Sequence, residues 1–149
     1  YPPTMNTRII TIEDMHIGLR ATHRVLIDQD MIDAYAALTD DFNPIHVDAE
    51  YAAATPFGRP IAHGMLTAGF VQHALTALTT PGGISTVYHF ELTSPVPAGT
   101  EAEASAECIA IDRERRRARF LLEVRSGFGS GDLLVKGEAE IAFPRKSAV

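Results

Sequence analysis

The spacing of hydrophobic positions changes near Gly83. Over residues 61–79 the apolar side chains recur at helical spacing, and no charged residue interrupts the stretch from 60 to 90. After Gly83 apolar and polar residues alternate in four segments: residues 84–92, 100–111, 118–124 and 133–143. This pattern predicts a long, nearly apolar helix over residues 61–79, followed by four antiparallel strands that each have one solvent-facing side.

The chain before this helix is predicted to hold one strand and two shorter helices. Residues 20–27 are rich in β-branched side chains, which favour a strand. The apolar spacing over residues 28–40 predicts a helix, and Pro44 must end it because the residue before a proline avoids helical backbone angles. Residues 49–54 are rich in alanine and fit one or two helical turns.

Helices followed by an uninterrupted run of strands are typical of an α+β fold. The helix over residues 61–79 is the only segment long and apolar enough to cover the apolar face of the sheet. We therefore predict a single domain in which an antiparallel sheet wraps around this central helix. The 149 residues suffice for one domain with a sizeable core. We place it at residues 16–146 and expect residues 1–15 to be loosely ordered.

Composition narrows the classes of function. The chain has 19 acidic and 13 basic side chains, and a net charge of −6 argues against nucleic-acid binding. The single cysteine, Cys108, cannot form an intrachain disulfide, and no Cys/His cluster has the spacing of a zinc site. The N-terminal sequence lacks a signal-peptide pattern, and histidines and a Pro-Gly-Gly turn interrupt the uncharged stretch. We therefore expect a cytoplasmic protein that does not enter a membrane.

The densest polar run is DDFNPIH at residues 40–46. Asp41 lies at the end of a predicted helix, whose partial negative charge disfavours the ionised carboxylate. His46 follows the turn at Asn43-Pro44, so Asp41 and His46 can face one another and serve as an acid-base pair. The same pattern also fits ordinary turn chemistry, in which Asp41 and Asn43 accept hydrogen bonds from nearby backbone amides.

A second candidate is Gly64, at the start of the apolar helix. Backbone N–H groups at a helix N-terminus are unpaired and can stabilise a developing oxyanion, and a glycine lets a ligand approach its N–H closely. Alternatively, Gly64 only permits close packing against a strand. The preceding His63 is more typical of a helix-start histidine with a local hydrogen bond than of a catalyst. The arginines within residues 113–119 fit either a solvent-exposed turn or a binding patch for a ligand that carries phosphates.

Two motifs together resemble a known family. The run YAALTDDFNPIH at residues 35–46 is similar to the hydratase signature of the MaoC-like (R)-specific enoyl-CoA hydratases. RPIAHGM at residues 59–65 is similar to the start of that family's central helix, and the likeness extends over nearly the whole chain. The resemblance implies the hotdog fold, which is a sheet wrapped around a helix.

The resemblance also implies roles for individual residues. Asp41 and His46 match the family's catalytic pair, Asn43 the asparagine between them, and Gly64 the glycine whose N–H polarises a thioester carbonyl. Asp40 stands where the family often has a glycine.

The implied reaction is the reversible addition of water to a trans-2-enoyl-CoA, which gives an (R)-3-hydroxyacyl-CoA. This is hydro-lyase chemistry of fatty acid metabolism. It needs no metal or organic cofactor, because coenzyme A enters only as part of the substrate, and the family usually forms homodimers. Two alternatives on the same fold are an acyl-CoA thioesterase and a non-catalytic subunit that binds acyl thioesters. The Asp41/His46 pair favours the hydratase.

Overall fold

A single five-stranded antiparallel sheet forms the framework of the computed structural model, which describes residues 8–146. Its strands are β1 (Arg20–Ile27), β2 (Ile84–Leu92), β3 (Thr100–Asp112), β4 (Arg117–Ser126) and β5 (Leu133–Ala142). They are hydrogen-bonded in the order β1-β3-β4-β5-β2, so β1 and β2 are the edges. All five predicted strands are confirmed, with ends that differ from the prediction by two residues at most.

The helices fall between β1 and β2 along the chain. They are α1 (Gln29–Thr39), α2 (Pro44–Val47), α3 (Ala49–Ala53), α4 (Gly64–Gly69) and α5 (Val71–Thr79). Phe70 joins α4 to α5 with right-handed helical angles, φ −68° and ψ −18°, so the two form one slightly tightened central helix. Neither this helix nor any other within residues 8–146 is long and apolar enough to cross a membrane.

The central helix starts at Gly64, three residues later than predicted. Ile61 and Ala62 are extended instead. Ile61 forms an isolated bridge with Pro97, and the N–H of Ala62 donates to the carbonyl of Val96 over 2.8 Å. A buried extended segment has the same apolar composition as a buried helix, so the pattern alone placed the boundary too early. As a result, the carbonyl of Ile61 remains available to other partners.

The core lies between α5 and the inner face of the sheet, which confirms the predicted α+β arrangement around a central helix. Strand β3 contributes fully buried small side chains: Ala102, Ala104, Ala106 and Cys108. Strand β4 contributes larger ones: Phe120, Leu122 and Val124. Small side chains on β3 let α5 approach the sheet closely, while the larger ones on β4 fill the remaining volume.

Strand β2 does not bury one face as its alternation predicts. Ile84, Val87 and Leu92 are 69%, 53% and 54% exposed. The register against β5 shifts between Ser85 and Val87, which interrupts the alternation. The strand is a sheet edge, and α5 covers β1, β3 and β4 instead, so most of the apolar side chains of β2 face solvent.

The segment before β1 also differs from the prediction of a loosely ordered N-terminus over residues 1–15. Residues 1–7 lie outside the described part of the chain. Beyond them, Ile12 and Met15 are buried in the core, and the N–H of Ile10 donates to the carbonyl of Pro81 over 2.7 Å. Thr11 and Asp14 form a capping box around a short 3₁₀ helix. The packed domain therefore extends upstream of residue 16.

We expect a stacked pair of histidines to make the stability of this fold pH-dependent. His23 on β1 stacks on His73 of α5, with ring centroids 3.7 Å apart. Burial lowers the pKa of His23 below its ordinary value of 6.5, and the neighbouring His73 lowers it further. The unfolded chain therefore takes up a proton at a higher pH than the folded protein does. We expect the urea midpoint to be highest above about pH 7 and to fall as the pH drops below about 6.5.

The variant His23→Gln should lose less stability over the same acid range, because the depressed pKa is removed. His16→Gln, which changes an exposed histidine outside the stack, serves as the matched control and should behave like the wild type. An identical acid-dependent fall in the urea midpoint of His23→Gln and wild type would contradict this assignment.

Candidate active site

The end of α1 positions Asp41. Asp40 follows the helix with left-handed backbone angles, φ 59° and ψ 27°, and so turns the chain away from the helix axis. The N–H of Asp41 donates back to the carbonyl of Ala36 over 3.2 Å. Its carboxylate oxygen Oδ1 accepts the N–H of Asn43 over 3.3 Å, which leaves Oδ2 directed elsewhere.

The short helix α2 positions His46. The side-chain oxygen of Asn43 caps this helix by accepting the N–H of Ile45. The ring nitrogen Nδ1 of His46 lies 2.7 Å from the carbonyl of Ile61, and the side chain of Gln29 donates to the carbonyl of His46 over 2.8 Å. Because a carbonyl only accepts, Nδ1 of His46 carries the proton, and Nε2 keeps a free lone pair.

The end of α1, the helix α2 and the residue directly before α4 bring Asp41, His46 and His63 together. Each of the three offers a nitrogen or oxygen atom that lies within 4.8 Å of the other two. Nε2 of His63 is 4.0 Å from Oδ2 of Asp41, and the rings of His46 and His63 stack at 3.9 Å between centroids. Asp41 and His46 therefore lie together as the sequence predicts. The turn hydrogen bonds of Asp41 and Asn43 are made as well, so the two interpretations of this motif are compatible.

Gly64 begins the central helix next to this group. Within residues 8–146, no acceptor receives a hydrogen bond from its N–H, the first of α4. A Cβ atom at Gly64 would overlap Cδ1 of Leu92 on β2, so an alanine at this position would force the end of that flexible side chain to move. The second glycine of α4, Gly69, has nothing within 4 Å of such a Cβ and meets no comparable demand.

Two cavities share His46, Gly64 and Leu92 in their walls. One, of about 220 Å³, contains the ionisable side chains of Asp41 and His63 and is completed by Tyr35, Thr39 and Met65. The other, of about 230 Å³, is more apolar and includes Thr67, Val96, Leu134 and Val135. Gly64 thus lies where a chamber with ionisable side chains meets a more apolar one, an arrangement that suits a ligand with a reactive polar group on a hydrocarbon chain.

Three contributors were not identified from the sequence. Gln29 holds the backbone of His46, and Tyr35 packs against the ring of His63. The prediction that His63 makes a local hydrogen bond is wrong, because its Nε2 lies 3.0 Å from the carbonyl of Asp41, which is 22 residues away in the chain. Only the position of His63 directly before Gly64 connects it to the site in the sequence.

The arginine cluster lies at the other end of the sheet. Arg117 and Arg119 face Glu140 and Glu138, with 3.5 Å between charged atoms in each pair. Arg117 pairs with Ala142 of β5, whereas Leu92 at the site pairs with Val135. That is seven residues along β5, or roughly 23 Å. Within one chain, these two arginines form surface ion pairs and do not reach the site.

Comparison with known proteins identifies the family. Residues 11–125 match the family described as MaoC like domain. The chain is 34% identical over 140 residues to a 3-hydroxybutyryl-CoA dehydratase of Methylorubrum extorquens, covering 93% of this chain and 87% of that protein. It is 33% identical over 136 residues to an (R)-specific enoyl-CoA hydratase of Aeromonas caviae, covering 91% of this chain and 100% of the relative.

A solved structure gives the same picture. The unliganded (R)-hydratase PhaJ1 of Pseudomonas aeruginosa superposes with a TM-score of 0.83 at 31% identity, over 93% of this chain and 88% of that one. The chain belongs to the MaoC-like family, and its sheet and central helix form the hotdog fold. The predicted family and fold are confirmed.

Asp40 has left-handed backbone angles, in which a residue with a Cβ is strained and glycine is not. We expect Asp40→Gly to raise the free energy of unfolding by about 0.5–1 kcal/mol, after allowance for the greater entropy that glycine gives the unfolded chain. Chemical denaturation measures this change.

Ala37→Gly, at an exposed interior position of the same helix, is the matched control. It should lower the free energy of unfolding by about 0.5–1 kcal/mol. If both variants were destabilised equally, Asp40 would not be strained in the folded protein.

Proposed function

We propose that this protein is an (R)-specific enoyl-CoA hydratase, which adds water reversibly to a trans-2-enoyl-CoA to give an (R)-3-hydroxyacyl-CoA. One observation carries the proposal. Asp41 and His46 lie together beside Gly64, whose N–H has no acceptor among residues 8–146, where the chamber that holds Asp41 and His63 meets a more apolar one. The names of the relatives in the MaoC-like family support the same reaction, which is that of a hydro-lyase.

The cavity suggests how the substrate lies. The thioester carbonyl accepts the N–H of Gly64, and the acyl chain enters the more apolar chamber toward Leu134 and Val135. The double bond then lies next to Asp41 and His46. A hydrogen bond to the carbonyl stabilises the negative charge that develops on its oxygen when C3 is attacked.

The tautomer of His46 suggests the division of labour. Its Nε2 has a free lone pair, so His46 acts as the base and takes a proton from the water that attacks C3. The step starts with Asp41 as a carboxylic acid. With Oδ1 accepting the N–H of Asn43, Oδ2 is the oxygen that carries the proton and delivers it to C2, which leaves Asp41 as a carboxylate. The hydroxyl on C3 and the hydrogen on C2 together account for one water. The proton then returns from His46 to Asp41, whose polar atoms lie within 4.8 Å.

We propose that no metal or organic cofactor takes part. The free lone pair on Nε2 of His46 is needed to accept a proton from water, and a metal bound at that nitrogen would block this role. A thiol nucleophile is also disfavoured, because Cys108 is buried in the core and burial raises the pKa of its thiol. We place the enzyme in cytoplasmic fatty acid metabolism, where enoyl-CoA thioesters are available as substrates.

The test follows the loss of the conjugated enoyl absorbance of crotonyl-CoA. We expect the wild type to hydrate it with an (R) product, and Asp41→Asn and His46→Ala each to lower kcat by about 10²–10⁴-fold. Gly64→Ala should lower kcat by about 10²-fold, because the added methyl group displaces Leu92 and the substrate. Prior treatment with a chelator should leave the rate unchanged.

Asp30→Asn on the exposed side of α1 and His16→Ala in a surface loop are the matched controls and should keep full activity. Longer enoyl-CoA substrates are assayed in parallel. Release of free coenzyme A thiol without hydration would indicate a thioesterase. Neither reaction with any chain length would indicate a non-catalytic subunit, and either result would overturn the proposed function.

We further propose that the protein is a homodimer paired through β2. This edge strand carries exposed apolar side chains on both faces, among them Ile84, Val87 and Leu92, and Met65 of α4 lies exposed beside it. Its outer backbone groups have no strand partner within the sheet. The other edge, β1, instead presents Arg20 and Arg24, which are side chains that oppose edge pairing.

Sedimentation equilibrium tests this assembly. We expect twice the mass of the chain, and we expect Val87→Lys to shift the protein toward monomers because it places a charge in the pairing strand. Thr22→Lys, at an exposed position of β1, is the control and should leave the mass unchanged. A wild type that is monomeric at micromolar concentration, or a Thr22→Lys variant that dissociates, would contradict pairing through β2.

A further inference from the structure

The buried imidazole of His63 has no part in the proton transfers proposed above. His63 is only 3% exposed and is the residue directly before α4. Its ring packs between those of Tyr35 and His46, at centroid distances of 4.7 Å and 3.9 Å. Its Nδ1 has no hydrogen-bond partner among the described residues. Buried polar atoms are almost always paired, so this arrangement calls for a reason.

The hydrogen bond of His63 fixes where its proton lies. A backbone carbonyl can only accept, so Nε2 carries the hydrogen that it donates to the carbonyl of Asp41. Nδ1 is then the unprotonated nitrogen and lies in the protein interior. The N–H at Nε2 also lies near the Asp41 side chain, since Oδ2 is 4.0 Å from that nitrogen.

His63 is the side chain that contacts both members of the proposed acid-base pair. Gln29 and Ile61 contact His46, whereas Asn43 links the two through its backbone: its N–H donates to Oδ1 of Asp41, and its carbonyl accepts the main-chain N–H of His46 over 2.9 Å. Asn43 makes no contact of this kind with the ring of His46. His63 holds the main chain of Asp41 through Nε2 and supports the ring of His46 through its face. Tyr35 packs against the same imidazole and limits its movement.

We propose that His63 is a positioning residue that sets the separation between Asp41 and His46. It acts through those two side chains and transfers no proton itself. The inference rests on the proposed hydratase activity for its kinetic test, whereas the arrangement of protons can be tested without activity.

Two variants separate the functions of the ring and of its donor. His63→Phe keeps an aromatic ring but removes the N–H, and His63→Gln keeps a donor that can reach the carbonyl of Asp41. With crotonyl-CoA we expect His63→Phe to lower kcat by about 10²-fold, because misplacement of reacting groups by about 1 Å costs that much. KM should change little, since the thioester contact at Gly64 is retained. His63→Gln should recover part of the lost kcat.

His16→Phe is the matched control for a histidine replaced outside the site and should keep wild-type kcat. Thermal unfolding of each variant checks that the fold is intact. An unchanged kcat in His63→Phe would overturn the proposal. Equal losses of kcat in His63→Phe and His63→Gln, or a rise in KM that matches the loss of kcat, would also overturn it.

Imidazole ¹⁵N NMR gives a readout that needs no substrate. We expect the proton of His63 on Nε2 and that of His46 on Nδ1 in the wild type, and altered His46 ring signals in His63→Phe. A His63 proton on Nδ1, or unchanged His46 signals in His63→Phe, would contradict the positioning role. If the wild type hydrates no enoyl-CoA, the proposed function fails, and the NMR result still decides the role of His63.

Discussion

The hydrogen bond from Nδ1 of His46 to the carbonyl of Ile61 is the contact on which the site depends. It ties α2 to the extended segment before the central helix and determines which ring nitrogen faces the cavity. The bond exists only because Ile61 is not helical. In a helix that began at residue 61, this carbonyl would accept the N–H of Met65 instead. The late start of the central helix therefore creates an acceptor for His46 and also leaves the N–H of Gly64 without an acceptor in the part of the chain that the structure describes.

Most of the sheet could be predicted from the sequence, because β3 and β4 each bury one face and alternation reports such burial directly. The same reasoning was wrong for β2. Alternation shows which positions are apolar, but it does not show whether another element covers them. The start of the central helix was misplaced for a related reason, because Ile61 and Ala62 are as apolar as a helix interior. In both cases the missing information was the position of a neighbouring element.

The candidate site also contains residues that could be predicted from the sequence and residues that could not. Asp41, Asn43 and His46 lie within six residues, so local turn geometry was enough to predict that they meet. The contacts made by Gln29 and His63 connect residues 17 and 22 positions apart and exist only once α1, α2 and the central helix have packed. A long-range hydrogen bond leaves no periodic pattern in a sequence, which is why the sequence indicated the candidate acid-base pair but not the residues that hold it.

Leu92 belongs to two surfaces at once. Its side chain contacts Gly64 inside the cavity, while its backbone lies on the exposed edge strand. Any chain that pairs with this edge restricts the movement of Leu92, and any ligand at Gly64 presses on the same side chain. With the proposed pairing through β2, the two equilibria share a coupling free energy, which thermodynamic linkage makes reciprocal. Pairing would then change the affinity for a ligand at Gly64 by the same factor by which that ligand changes pairing.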